Sequence, residues 1–84
     1  MKLFLVKPQL DPATGFVYAP WDPWYDKAFG HVVRAESETD ARKLASAASG
    51  NEGEAAWLDE RLASCIELTP SGEAGVVITD FHAA

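Results

Sequence analysis

The stretch that decides the fold is FGHVVRAESETDARKLASAASG, residues 29–50, in which a strand pattern runs directly into a helix start. Val32 and Val33 carry the branched side chains that favour a pleated sheet. Ser37 supplies a capping oxygen and Asp40 an acidic side chain one turn later, a pairing typical of a helix N-terminus. We therefore predict a strand over 29–34, followed by a helix that starts at Ser37 and closes at Gly50.

The predicted helix has one narrow apolar face. Small and apolar residues recur at helical spacing, namely Ala41, Leu44, Ala45 and Ala48. Such a stripe favours packing against a sheet. Glu38 and Arg42 have the spacing of an ion pair, and we expect that pair on the outer surface.

Further strand patterns lie on both sides of this unit. We predict a first strand over 2–10 and two later strands over 65–69 and 76–81, the last two joined by the turn sequence Pro70-Ser71-Gly72-Glu73. Residues 55–62 fit either a second short helix or a loop with one helical turn, and we favour the turn, near Asp59. The predicted fold class is α+β: a two-layer, mainly antiparallel four-stranded sheet with one covering helix (β-β-α-β-β), in a single domain over 1–84.

Charge and cysteine content narrow the function classes. Thirteen acidic against seven basic residues give a net charge of −6, which repels nucleic acid, so we expect no direct nucleic-acid binding. The apolar stretch near the amino terminus is too short for a signal peptide or a membrane span. Cys65 is the single cysteine, so no disulfide forms within the chain, and we expect a cytoplasmic protein without membrane contact.

The segment 16–29 is the feature that folding alone explains least, because it holds six of the nine aromatic residues. Aromatic side chains are enriched in interface hot spots. We predict that this segment contacts a protein partner or a second copy of the chain, through Tyr18, Trp21, Asp22, Trp24 and Tyr25. Two alternatives stay open: the rings wall off the core of the domain itself, in whole or in part, or they hold a sugar or a cationic ligand beside Asp22 and Asp26.

Two other functions compete with this non-enzymatic interaction module. The acidic excess is compatible with an inhibitor that imitates DNA in the basic groove of a host enzyme. Cys65 with His31 or His82 is compatible with a small thiol enzyme. No close spacing of ligands predicts a metal site, and no phosphate loop or nucleophile elbow is present, so we predict no cofactor, no metal and no catalytic residue.

The residues 29–42, together with Trp57-Leu58-Asp59, Ser64-Cys65 and the run 75–81, also support a family resemblance. The chain resembles a group of small uncharacterised proteins from actinobacteria and their phages. The resemblance implies a phage or phage-derived setting, and it assigns no activity and no functional residue.

Overall fold

The computed structural model describes residues 1–80, and in that range the chain forms a three-stranded antiparallel sheet with two helices. The strands are β1 (Lys2–Pro8), β2 (His31–Ala35) and β3 (Ala63–Leu68), and the helices are α1 (Glu38–Ala47) and α2 (Glu54–Leu58). β1 lies in the centre of the sheet, with β2 on one side and β3 on the other. The prediction of an α+β fold is therefore confirmed.

The alternation of side chains along β1 separates a buried face of the sheet from an open one. Phe4 and Val6 are buried, whereas the alternating residues Leu3 and Leu5 are only half-buried. α1 contacts all three strands, and α2 packs on α1, so the core lies between these helices and the buried face. On the open face Leu5 lies opposite Val32 in β2 and Ile66 in β3, and the latter two side chains are more than half exposed.

The predicted helix start is confirmed at the atomic level. The Ser37 hydroxyl accepts a hydrogen bond from the backbone N–H of Asp40 at 3.2 Å. This bond satisfies one of the N–H groups that the first helical turn leaves without a partner. β2 therefore runs into α1 with only two intervening residues, Glu36 and Ser37.

The predicted apolar stripe of α1 is only half correct. Ala41 and Ala45 are buried, but Leu44 is 53% exposed and Ala48 is exposed as well. Arg42 takes a buried position instead. Its guanidinium donates to the backbone carbonyls of Trp57 and Ala63, at 3.2 and 2.9 Å, and lies 3.7 Å from Glu38. The predicted pairing of Glu38 with Arg42 is confirmed, but its placement on the outer surface is wrong for Arg42, which is buried and joins α1 to the end of α2 and the start of β3.

Two predicted elements differ from the structure near the end of the chain. Residues 54–58 form the helix α2, where we favoured a turn near Asp59; Gly53, at φ +89°, allows the sharp entry into it. Residues 76–80 form no strand, and Val76 and Val77 are more than 80% exposed, so the predicted fourth strand is wrong over this range. Phe81, its last predicted residue, lies outside the described residues. A run of β-branched residues favours a strand, but within the described range residues 76–80 pair with no strand of the sheet.

Across residues 1–80, no helix combines the length and the apolar character that crossing a bilayer would require.

Candidate functional site

The structure divides the aromatic segment 16–29 into a buried part and an exposed part. Trp21 is fully buried and belongs to the core. Tyr18 is half-buried, while Asp22, Trp24 and Tyr25 are exposed. Trp21 therefore fits the alternative in which the rings wall off the core, whereas contact of the exposed residues with a partner stays a prediction.

Trp21 anchors the segment in the domain. Its ring meets the ring of Trp57 edge to face, with centroids 5.3 Å apart, a favourable aromatic geometry. Its indole N–H donates to the backbone carbonyl of Ala28 at 2.9 Å, so the polar atom of this buried ring has a partner. Trp21 therefore packs the interior and closes the loop that runs from 21 to 28.

A second set of bonds holds the far end of the same loop. The backbone carbonyl of Asp26 accepts from the N–H of Asn51 at 2.9 Å. Gly50 lies so close to this carbonyl that an added Cβ would stand only 2.6 Å from its oxygen. The loop is thus pressed directly against the connection between α1 and α2.

The carboxylate of Glu52 completes this attachment, and we call it with its three donors the Glu52 clamp. It accepts from the indole N–H of Trp57 at 2.6 Å, and from the backbone N–H groups of Ala28 and Gly50, each at 3.0 Å. Glu52 itself is only 7% exposed. One carboxylate therefore ties the aromatic loop, the α1–α2 connection and the core ring of Trp57 together.

Among the described residues, hydrogen bonds and no ion pair compensate the charge of Glu52. Burial by itself would raise the pKa of this carboxyl, but the bonds from Trp57, from the backbone of Glu52 itself, and from Gly50 and Ala28 together lower the pKa below its usual value. The ionised form is thus the form that the fold stabilises.

Trp24 and Tyr25, here called the ring pair, stand on the outside of the clamped loop. Their ring centroids lie 4.6 Å apart with an interplanar angle of 37°, and the residues are 61% and 63% exposed. Two neighbouring rings in water offer a large apolar contact area with few rotatable bonds. The contact between the rings and the clamped backbone both restrict the two side chains, so binding would remove less conformational freedom from them.

The thiol alternative finds little support in the described surroundings of Cys65, and its candidate partner His82 lies outside the described residues. The side chain is half-buried in β3, and burial, together with the carboxylate of Glu38, raises the pKa of the thiol. A nucleophilic cysteine needs the opposite shift. An open groove of about 410 Å³ on the sheet is lined by Leu5, Leu10, Val17 and Phe29 among others, and Cys65 is not part of its wall. Within the described range no group of three or more metal-ligating side chains comes together.

Some of the acidic side chains have partners within the domain. The Glu52 carboxylate accepts the hydrogen bonds of the clamp. Glu38 pairs with Arg42, and Asp59 pairs with Arg61 at 2.9 Å. Imitation of DNA stays a prediction.

Sequence reasoning missed the roles of Glu52 and Arg42. In the sequence Glu52 resembles any solvated carboxylate, and its partner Ala28 lies 24 positions away in the chain. No local spacing signals such a contact. The short interval between Glu52 and Trp57 is the only sequence hint, and it has meaning only once the indole is known to be buried.

The chain matches no protein-family model, and no curated protein and no solved structure shows significant similarity to it. The resemblance to small actinobacterial and phage proteins therefore stays a prediction. Any function assigned to the chain rests on the geometry of the clamped loop and its ring pair.

Proposed function

We propose that this chain is a small non-enzymatic interaction module that binds a protein partner through the ring pair. The observation that carries the proposal is the exposure of two contacting aromatic rings on a loop that the core holds at both ends. A domain of this size stabilises itself by burying large rings. It buries Trp21 and Trp57 completely, yet leaves Trp24 and Tyr25 in water.

Asp22 and Tyr18 extend this surface along the loop. Asp22 is exposed and directly follows the 3₁₀ turn Ala19–Trp21, while Tyr18 immediately precedes that turn. Trp21 supports the surface from below and does not touch the partner. In this proposal the loop is therefore a preformed contact element, and preorganisation lowers the entropy that binding costs.

The experiment compares partner capture by tagged wild-type protein, the double variant Trp24→Ala/Tyr25→Ala and a control variant, Ile66→Ala. Ile66 is a comparably exposed apolar side chain, but it lies on the open sheet face. A protein retained by the wild type is identified and purified, and its affinity for all three forms is measured by calorimetry. Loss of a hot-spot ring typically costs about 2 kcal/mol or more, roughly a thirtyfold change in Kd.

We expect the ring-pair variant to lose binding, with an unchanged far-ultraviolet circular-dichroism spectrum, and Ile66→Ala to bind as the wild type does. Equal affinity of the wild type and the ring-pair variant would contradict the proposal. Loss of binding in Ile66→Ala alone would move the contact to the sheet face and would contradict it as well.

A further inference from the structure

The ring pair is flanked on both sides by carboxylates that have no partner among the described residues. Asp22 precedes Trp24 by two residues and Asp26 directly follows Tyr25, and both aspartates are exposed. Over residues 1–80, neither carboxylate takes part in a side-chain hydrogen bond or an ion pair. The neighbouring cation Lys27 forms no ion pair with them in the described structure either.

The backbone at both aspartates is fixed, although their side chains have no partner in the described part of the chain. The N–H of Asp22 donates to the carbonyl of Ala19 at 3.0 Å, and the carbonyl of Asp26 accepts from Asn51. Asp26 also has a positive φ of 55°, a conformation that few residues other than glycine adopt. The backbone of the residues that carry the two carboxylates is therefore fixed within the loop that exposes the rings, two positions before Trp24 and one position after Tyr25.

We propose that the ring pair with Asp22 and Asp26 binds the guanidinium group of an arginine side chain on the protein partner. This inference rests on the function proposed above and names the chemistry of that partner. A guanidinium is planar, so it stacks on an indole or phenol ring, and its N–H groups at the same time donate to carboxylates at its edge. Tryptophan is the ring that attracts a cation most strongly.

Charge across the whole chain favours the same ligand. The net charge is −6, so a basic peptide is attracted from a distance, whereas an acidic one is repelled. An ammonium group satisfies this attraction too. However, an ammonium is a compact and strongly hydrated charge, and it does not offer a flat face to two neighbouring rings.

The experiment titrates isotope-labelled protein with a short glycine-serine peptide that carries one arginine and is blocked at both ends. The matched ligand is the same peptide with citrulline, which keeps the planar shape and removes the charge. The readout is the indole N–H resonance of each tryptophan. Trp24 is exposed, whereas the indoles of Trp21 and Trp57 donate to Ala28 and Glu52, so their resonances serve as internal references.

We expect the arginine peptide to shift the Trp24 resonance in a saturable way and the citrulline peptide to leave it unchanged at equal concentration. The variant Asp22→Asn/Asp26→Asn should weaken the binding by roughly three- to tenfold. A control of equal net charge, Glu36→Gln/Glu73→Gln, removes two exposed carboxylates elsewhere and should bind as the wild type does.

Equal shifts with the arginine and citrulline peptides would overturn this inference. An equal loss in the two charge variants would also overturn it, because the attraction would then come from the net charge alone. Failure of this inference is distinct from failure of the proposed function. A protein partner could lose binding to Trp24→Ala/Tyr25→Ala and still bind Asp22→Asn/Asp26→Asn as tightly as the wild type. That result would support the interaction module and contradict only the recognition of an arginine.

Discussion

The carboxylate of Glu52 lies 2.6 Å from the indole nitrogen of Trp57, and the same carboxylate holds the backbone of Ala28 at 3.0 Å. This relationship joins the interior of the domain to the loop that presents the ring pair. Because Trp57 in turn packs edge to face against Trp21, both ends of that loop depend on the same pair of buried rings. Stability of the core and presentation of the surface are therefore coupled in this chain.

The first prediction concerns removal of the charge in the clamp. Glu52→Gln keeps the shape of the side chain, but its amide turns a donor towards groups that are themselves donors. We expect the free energy of unfolding to fall by about 1–3 kcal/mol, the usual cost when a buried charged hydrogen-bond partner is lost. Urea denaturation followed by circular dichroism measures the change. The control Glu36→Gln alters an exposed carboxylate and should shift the midpoint hardly at all; equal shifts in both variants would contradict the role of the clamp.

The second prediction gives the pH dependence of the same group. The pKa of Glu52 is lower in the folded state than its ordinary value, so folding stabilises the ionised form of this carboxyl. Its contribution is fully present above the unfolded pKa of about 4.3 and is lost as the pH falls through the lower folded pKa. Wild type and Glu52→Gln should therefore differ in unfolding free energy at neutral pH and converge in acid. A difference that stays constant down to acid unfolding would contradict the assignment.

The third prediction tests the close contact between the loop and the α1–α2 connection. A methyl group at Gly50 would stand 2.6 Å from the carbonyl oxygen of Asp26 and 3.2 Å from the backbone of Lys27, and backbone cannot move aside as a flexible side chain can. We expect Gly50→Ala to destabilise the fold by about 1–3 kcal/mol, as overpacking typically does. Thermal unfolding measures this as a lowered Tm. Gly72→Ala is the matched control, since a Cβ there meets nothing within 4 Å; a normal Tm for Gly50→Ala would show that the loop does not rest on the connection.

Local patterns in the sequence predicted the parts of the fold that depend on neighbouring residues. The capping serine and the branched valines act over a few positions, so β2, α1 and the α+β class follow from the sequence. The stripe on α1 was half wrong because periodicity treats Leu44 as core and Arg42 as surface. In the structure, two backbone carbonyls accept from the Arg42 guanidinium and make its burial possible.

The candidate site was predictable as a segment but not as individual residues. The clustering of aromatic residues identified the segment 16–29, yet nothing in its spacing distinguishes Trp21 from Trp24. Trp21 is buried and Trp24 is exposed because of contacts with Trp57 and Glu52, which lie far along the chain. The prediction of a fourth strand is wrong over residues 76–80 because it rested on propensity alone. Val76 and Val77 favour a strand, but propensity does not determine whether a neighbouring strand is there to pair with.

The division of the aromatic segment is the central claim, and quenching of tryptophan fluorescence by acrylamide in the wild type and in Trp24→Phe tests it most directly. Trp21 and Trp57 have no exposed surface, whereas Trp24 is 61% exposed. We expect the wild type to show one readily quenched, red-shifted component, and Trp24→Phe to lose it and keep a blue-shifted, protected emission. A red-shifted and readily quenched emission that survives in Trp24→Phe would place another indole in water and contradict the account.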